Sequence, residues 1–201
     1  LETIFRSIFG ECPYKSPTDM GVNMAGFAIC DDEVCREASY QEIIRRYFNA
    51  LCEARKDHIG EETVDKQRSL MQKLHITEDE RPVVAAARKR ADATGAPAAA
   101  ILLDDGQLVT AKTSSLLGAS AALILNSLKK LAGIPKEEKL IPPEVIGPVQ
   151  GLKLDYLGNH NPRLHSDEVL VALSITAAQS PMAARALGQL PRLKGCEVHT
   201  S

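Results

Sequence analysis

Two short apolar runs, residues 98–103 and 107–112, flank Asp104-Asp105-Gly106, and this spacing constrains the chain more than any other feature. Asp-Gly supplies backbone that tolerates a tight reversal, and the runs on either side have strand length and β-compatible side chains. A β-hairpin over 98–112 follows. Two further segments read as strands. Residues 25–30 are short and apolar, bounded by Gly26 and Asp31, and residues 195–200 alternate in polarity. The fold class expected is α/β, a small mixed sheet of these strands covered by amphipathic helices. The whole of 1–201 is treated as one domain, with a helical subregion at 33–75.

The helices are read from apolar spacing and capping signals. Leu1, Ile4, Phe5, Ile8 and Phe9 share one face of a first helix, with Gly10 after its end. That helix has no cap, and Leu1 stands where an initiator Met is expected, which reads as a chain cut from a longer protein. Ser39 and Glu42 form a capping-box spacing for a second helix carrying Ile43, Ile44, Tyr47, Phe48 and Leu51 and ending by Gly60. A third runs from about Glu62 to Leu74. Both Thr77 and Pro82 signal the start of a fourth, which Gly95 ends. Ser114 or Ser115 caps a fifth, stopped by Gly133. Pro148 and Gly151 imply a broken helix between Glu144 and Gly158. Ser166 caps a strongly apolar helix, and Ser180-Pro181 starts the last one.

Composition excludes several functions. The 201 residues are 44% hydrophobic and 25% charged with net charge −2, which supports a sizeable core and no field for gathering nucleic acid. The short basic runs Arg45-Arg46 and Arg88-Lys89-Arg90 read as solvated helix faces. No apolar run approaches the ~20 residues that span a bilayer. Cys12, Cys30, Cys35, Cys52 and Cys196 lack zinc-type spacing, and reduced thiols in a cytoplasmic protein are expected, with Cys30 and Cys35 as buried small hydrophobes. No Ser elbow and no helical H-E-x-x-H is present.

Three polar stretches could carry chemistry. In the first, Lys15, Ser16, Thr18, Asp19 and Asn23 lie among Pro17, Gly21 and Gly26, and the 25–30 strand then delivers Asp31, Asp32 and Glu33. A loop that caps its own turns explains the same residues, and both readings stay open. In the second, Asn159, His160, Asn161, Arg163 and His165 precede a helix N-terminus, where backbone N–H groups favour an anion. Arg163 could clamp it while His160 or His165 moves protons, or these side chains could satisfy local backbone. The pair His-x4-His is no metal site, since no third ligand is identifiable. In the third, Lys112, Thr113, Ser114 and Ser115 stand at a strand-to-helix junction suited to an anion, or merely cap a helix. Residues 106–113 nearly match a P-loop, but Ala111 replaces its second glycine and the stretch is a strand.

Four stretches resemble a known family: residues 15–24 (KSPTDMGVNM), Arg36-Glu37-Ala38-Ser39, residues 83–90 (VVAAARKR) and residues 157–165 (LGNHNPRLH). Together they are similar to the bacterial family called domain of unknown function eighteen forty-six, over nearly the whole chain. The resemblance implies a longer protein whose preceding half carries a Gly-rich, P-loop-like stretch, and it identifies this chain with the C-terminal half without its last segment. The family is uncharacterised, and the label of ATP-dependent peptidase sometimes attached to it finds no support in these residues.

The expectation for function combines these readings. The missing half would bind a nucleotide. Here His160, His165, Asp19 and Asp31 would move protons, and Lys15, Ser16, Thr18, Asn23, Asn161, Arg163, Lys112 and Thr113 would bind a small anionic substrate. No cofactor is assigned. A homo-oligomer in contact with the missing half is expected, and the rival is a non-catalytic regulatory or assembly module.

Overall fold

The computed structural model describes residues 2–11 and 31–201. Eleven of its elements organise the chain: α1 (Glu2–Phe9), α2 (Asp32–Arg55), α3 (Glu61–Leu74), α4 (Pro82–Thr94), β1 (Ala98–Leu102), β2 (Leu108–Lys112), α5 (Ala119–Leu131), α6 (Pro143–Gly151), α7 (Ser166–Ala177), α8 (Pro181–Leu187) and β3 (Glu197–Thr200). They fall into two compact units, Leu1–Glu80 and Arg81–Ser201.

The N-terminal unit is helical among its described residues. A core of Ile44, Tyr47, Ala50, Val64, Met71 and Ile76 joins α2 to α3. α2 starts seven residues before the expected Ser39. Asp31 is its N-cap, with one carboxylate oxygen accepting from the Glu33 and Val34 N–H groups at 3.0 Å each, and Asp32 and Glu33 favour the positive end of the helix dipole. Ser39 instead lies inside the helix, its hydroxyl donating to the Cys35 carbonyl at 2.7 Å. Glu42 pairs with Arg45 and Arg46, which hold its carboxyl down at about 2 through their hydrogen bonds. Cys35 is half-buried, not buried; Cys12, Cys30 and the 25–30 strand lie outside the described residues.

Both start signals before α4 are used. The Glu80 carboxylate accepts from the Thr77 N–H at 2.7 Å around a 3-10 turn, and the α-helix begins at Pro82. Gly95 closes α4 at φ +62°, in the left-handed region that costs other residues most. Arg88 and Arg90 are half-buried, so this basic run is not a fully solvated face.

In the C-terminal unit the hairpin forms as expected, with Gly106 at φ +79° in its turn. β1 is central and pairs antiparallel with both neighbours, in the order β2-β1-β3, Ala99 facing Ala111 on one side and Thr200 on the other. Among the described residues the sheet is therefore antiparallel throughout, because a two-sided antiparallel centre needs only the hairpin and a returning strand. Ala99, Ile101, Ala111 and Leu123 pack β1 and β2 against α5. A larger core of Leu128, Leu140, Ile141, Leu164, Val169, Leu173, Ala183 and Ala186 joins α5, α7 and α8. Arg81 pairs with Glu197 of β3, and Arg192 grips Asp104 of the hairpin turn with two bonds of 2.7 and 3.0 Å.

Candidate functional site

Two of the three polar stretches meet in the C-terminal unit. Residues 114–118 and 159–165 run side by side in a short parallel pairing of Leu117 with Leu164. The Leu164 N–H donates to the Leu116 carbonyl at 2.8 Å and the Gly118 N–H to the Leu164 carbonyl at 3.1 Å, while the Leu164 side chain is fully buried. Burial of this leucine holds the crossing from inside, and the paired backbones hold it from outside.

Ser114 does not cap a helix as expected. Its hydroxyl accepts from the Leu116 and Leu117 N–H groups at 3.3 and 3.0 Å, closing a turn, and α5 begins only at Ala119 behind Gly118. Four extra residues are consumed because the chain must reach Leu164 first. The Arg163 Nε donates to the Ser114 carbonyl at 2.8 Å, so the guanidinium is pinned over this turn by one of its five N–H groups. Lys112 is exposed at the end of β2, Thr113 is half-buried and Ser115 is exposed.

The 159–165 loop uses its asparagines on itself. Asn159 accepts from the Asn161 N–H at 2.9 Å, and Asn161 accepts from the Arg163 N–H at 3.1 Å. These are successive Asx turns, the structural role left open by the sequence. The Asn161 amide nitrogen lies 3.4 Å from His165 Nε2, and both imidazoles, His160 and His165, are exposed. His165, not Ser166, is the N-cap of α7.

Beneath the loop sits a pair that sequence reasoning missed. Lys153, only 2% exposed, donates from Nζ to the Arg163 carbonyl at 2.7 Å and to Glu168 Oε2 at 2.9 Å. The same carboxylate oxygen accepts from the His165 N–H at 2.7 Å. Gln150 adds a bond of 2.9 Å to the Pro162 carbonyl. Lys153 can reach inward because the helix after Pro148 does not break; it continues from α6 into a π-helical turn, Leu152–Tyr156, that rotates this side chain towards α7. Since Glu168 already fills the mouth of α7 and Asp167 stands beside it, that helix end offers little to an anion. Arg163 and Lys112, both exposed, are the cations on these two stretches.

Partial burial pushes the Glu168 carboxyl up, but the His165 N–H and the Lys153 ammonium outweigh it and hold the group below its ordinary value. A depressed folded pKa means that the carboxylate's contribution is present above the unfolded carboxylate range and lost as pH falls through the folded value. Urea melts taken from neutral pH downwards should therefore show a steeper acid loss in the wild type than in Glu168→Gln, which has no such proton to take up. Parallel pH profiles for the two proteins would remove Glu168 as the acid-sensitive group.

Lys15, Ser16, Thr18, Asp19 and Asn23 lie outside the described residues. Asp31 spends its carboxylate on the α2 cap. Among the described residues no group of three or more His, Cys, Asp and Glu side chains could hold a metal ion, and no helix is long and apolar enough to cross a membrane.

Residues 79–201 match the family described as Domain of unknown function DUF1846, C-terminal. The chain belongs to the DUF1846 family. Residues 1–75 match the N-terminal domain of the same family. The chain thus matches both the N- and the C-terminal DUF1846 domains, so its description as a C-terminal half is imprecise. It is similar to the UPF0371 protein of Corynebacterium efficiens, at 55% identity over 100% of this chain and 41% of the relative. UPF0371 proteins of Streptococcus thermophilus and Streptococcus pneumoniae are 53% and 52% identical over the same shares. The chain spans about two fifths of the length of the curated relatives it matches.

Proposed function

We propose that this part of the DUF1846 protein binds a small anionic substrate, as one portion of a nucleotide- or phosphate-dependent enzyme whose nucleotide site lies elsewhere in the full-length protein. The observation that supports this reading is Arg163. Its Nε is committed to the Ser114 carbonyl, a rigid anchor that orients the remaining N–H groups of the fork for a carboxylate or phosphate. Lys112, Thr113 and Ser115 on the adjoining turn supply charge and hydroxyl donors, and the His160 and His165 imidazoles are exposed on the loop. The backbone of the loop is satisfied from below by Lys153 and Glu168, so the binding groups would need little ordering when substrate arrives.

A melting screen of the full-length protein against nucleotides, inorganic phosphate and phosphorylated metabolites tests this, because a ligand that binds the folded state raises the melting temperature. Arg163→Lys keeps the charge but loses the planar fork, and should weaken the affinity of a stabilising anion by about tenfold while leaving the unliganded melting temperature within about 2 °C. Unchanged affinity for such an anion would remove Arg163 from the site.

A second reading, a non-catalytic assembly module, is favoured by a specific surface. Tyr156 and Leu157 are 82% and 72% exposed at the π-helical turn, and Val171 and Ile175 are exposed on α7 along the same stripe as Glu168. A full panel of small anions without a stabilising member would favour that reading.

A further inference from the structure

A second feature of β2 is independent of the junction. Among the described residues the strand lies at the sheet edge, and the ladder fixes which of its backbone groups point away from β1. The Thr113 N–H donates to Pro97 at 2.8 Å and the Leu103 N–H to Gln107 at 2.9 Å. By antiparallel alternation Val109 and Ala111 also face β1, and Leu108, Thr110 and Lys112 turn their N–H and C=O groups to the open edge. Asn126 of α5 satisfies one of them, donating to the Thr110 carbonyl at 3.1 Å.

Against this edge lies a cleft of about 390 Å³, between β2, the C-terminal half of α5 and the segment after it. Its size falls in the range of small-molecule sites. Lys129, Lys130 and Lys136 line it beside Thr110, Asn126 and the buried Ile134, and among the described residues no carboxylate lines it. The Lys129 Nζ is held by the Lys136 carbonyl at 3.0 Å, which leaves two of its N–H groups for another acceptor.

We propose that this cleft is a binding site for a small organic oxyanion, with the three ammonium groups and the outward Thr110 N–H as donors and Ile134 as the apolar floor. The competing role for lysines here is to deter a second strand from pairing with the edge. That role works best with fully solvated charges and needs no cavity. Lys129 is instead half-buried, and burial lowers its pKa despite the opposing Glu137 and Glu138 charges, with Lys136 adding to the lowering. An ammonium kept partly desolvated next to an open cleft gains most when an anion replaces the lost water.

Phosphate and carboxylate ligands share this chemistry, and brief acylation of the full-length protein with an amine-reactive reagent, read by mass spectrometry at each lysine, separates them. At matched ionic strength, pyrophosphate or citrate at about 10 mM should lower acylation of Lys129 by about fivefold, corresponding to a low-millimolar Kd. The stronger protector names the class. The exposed α3 lysines, Lys66 and Lys73, serve as internal controls and should not change. Lys130→Gln with Lys136→Gln should abolish the protection, and Arg163→Ala should leave it intact, which keeps this site distinct from the junction. No protection by either probe, equal protection at Lys66 and Lys73, or full protection in the double variant would overturn the proposal.

Discussion

Replacing Lys153 by methionine should lower the stability of the C-terminal unit by about 3 kcal/mol, since removing one partner of a buried ion pair leaves the other without compensation. The ammonium serves two acceptors at once, the Arg163 carbonyl and the Glu168 carboxylate, and methionine fills the volume without replacing either bond. The loss should therefore exceed what a surface lysine contributes, typically under about 1 kcal/mol. Urea unfolding of the full-length protein, followed by a probe in this unit, measures it. In a double-mutant cycle, Lys153→Met should cost much less in a Glu168→Gln background, because the carboxylate no longer needs a cation. Additive effects would show that the two residues act separately.

Leu164→Ala is expected to be comparable, at about 2–5 kcal/mol, the range for deleting a fully buried leucine. Its side chain is wholly inaccessible and packs in the core that joins α5, α7 and α8. The position also sets this variant apart from another core truncation. Leu164 is the residue whose backbone bonds to both Leu116 and Gly118, so the cavity opens under the crossing of the two loops. Hydrogen exchange at the Leu164 and Gly118 amides should accelerate more than at the α8 amides, whereas Leu173→Ala, in the middle of α7, should affect them evenly. Equal acceleration everywhere in the Leu164 variant would mean that the crossing has no local stability of its own.

The parts of the fold that were legible are those governed by local rules. The hairpin followed from Asp105-Gly106 between two strand-length runs, and the end of α4 from Gly95, because each is a backbone requirement that only a few residues meet. The start of α2 was legible too, in Asp31 followed by Asp32 and Glu33. Next to the apolar 25–30 run the acids resemble a ligand-facing strand end, but an Asx residue before an acidic first turn is a helix start. At the junction, the residue types of both loops were recognised, but their meeting depends on Leu117 and Leu164, two leucines with nothing in their neighbours to mark them. Lys153 was harder still. Set between Leu152 and Leu154 it reads as any amphipathic position, and its burial is decided by a π-helical turn and by Glu168, fifteen residues away. The only hint was the Glu three residues after His165, a capping spacing that the Ser166 start concealed.

Amide chemical-shift mapping of the full-length protein, titrated with inorganic phosphate and then with any anion that raises its melting temperature, tests the anion-binding account most directly. The account predicts saturable shifts at Thr113, Ser115, Arg163 and His165, whose midpoint moves about tenfold higher in Arg163→Lys, with the α8 amides unmoved. Saturable binding whose shifts avoid both residues 112–118 and residues 159–165 would contradict it.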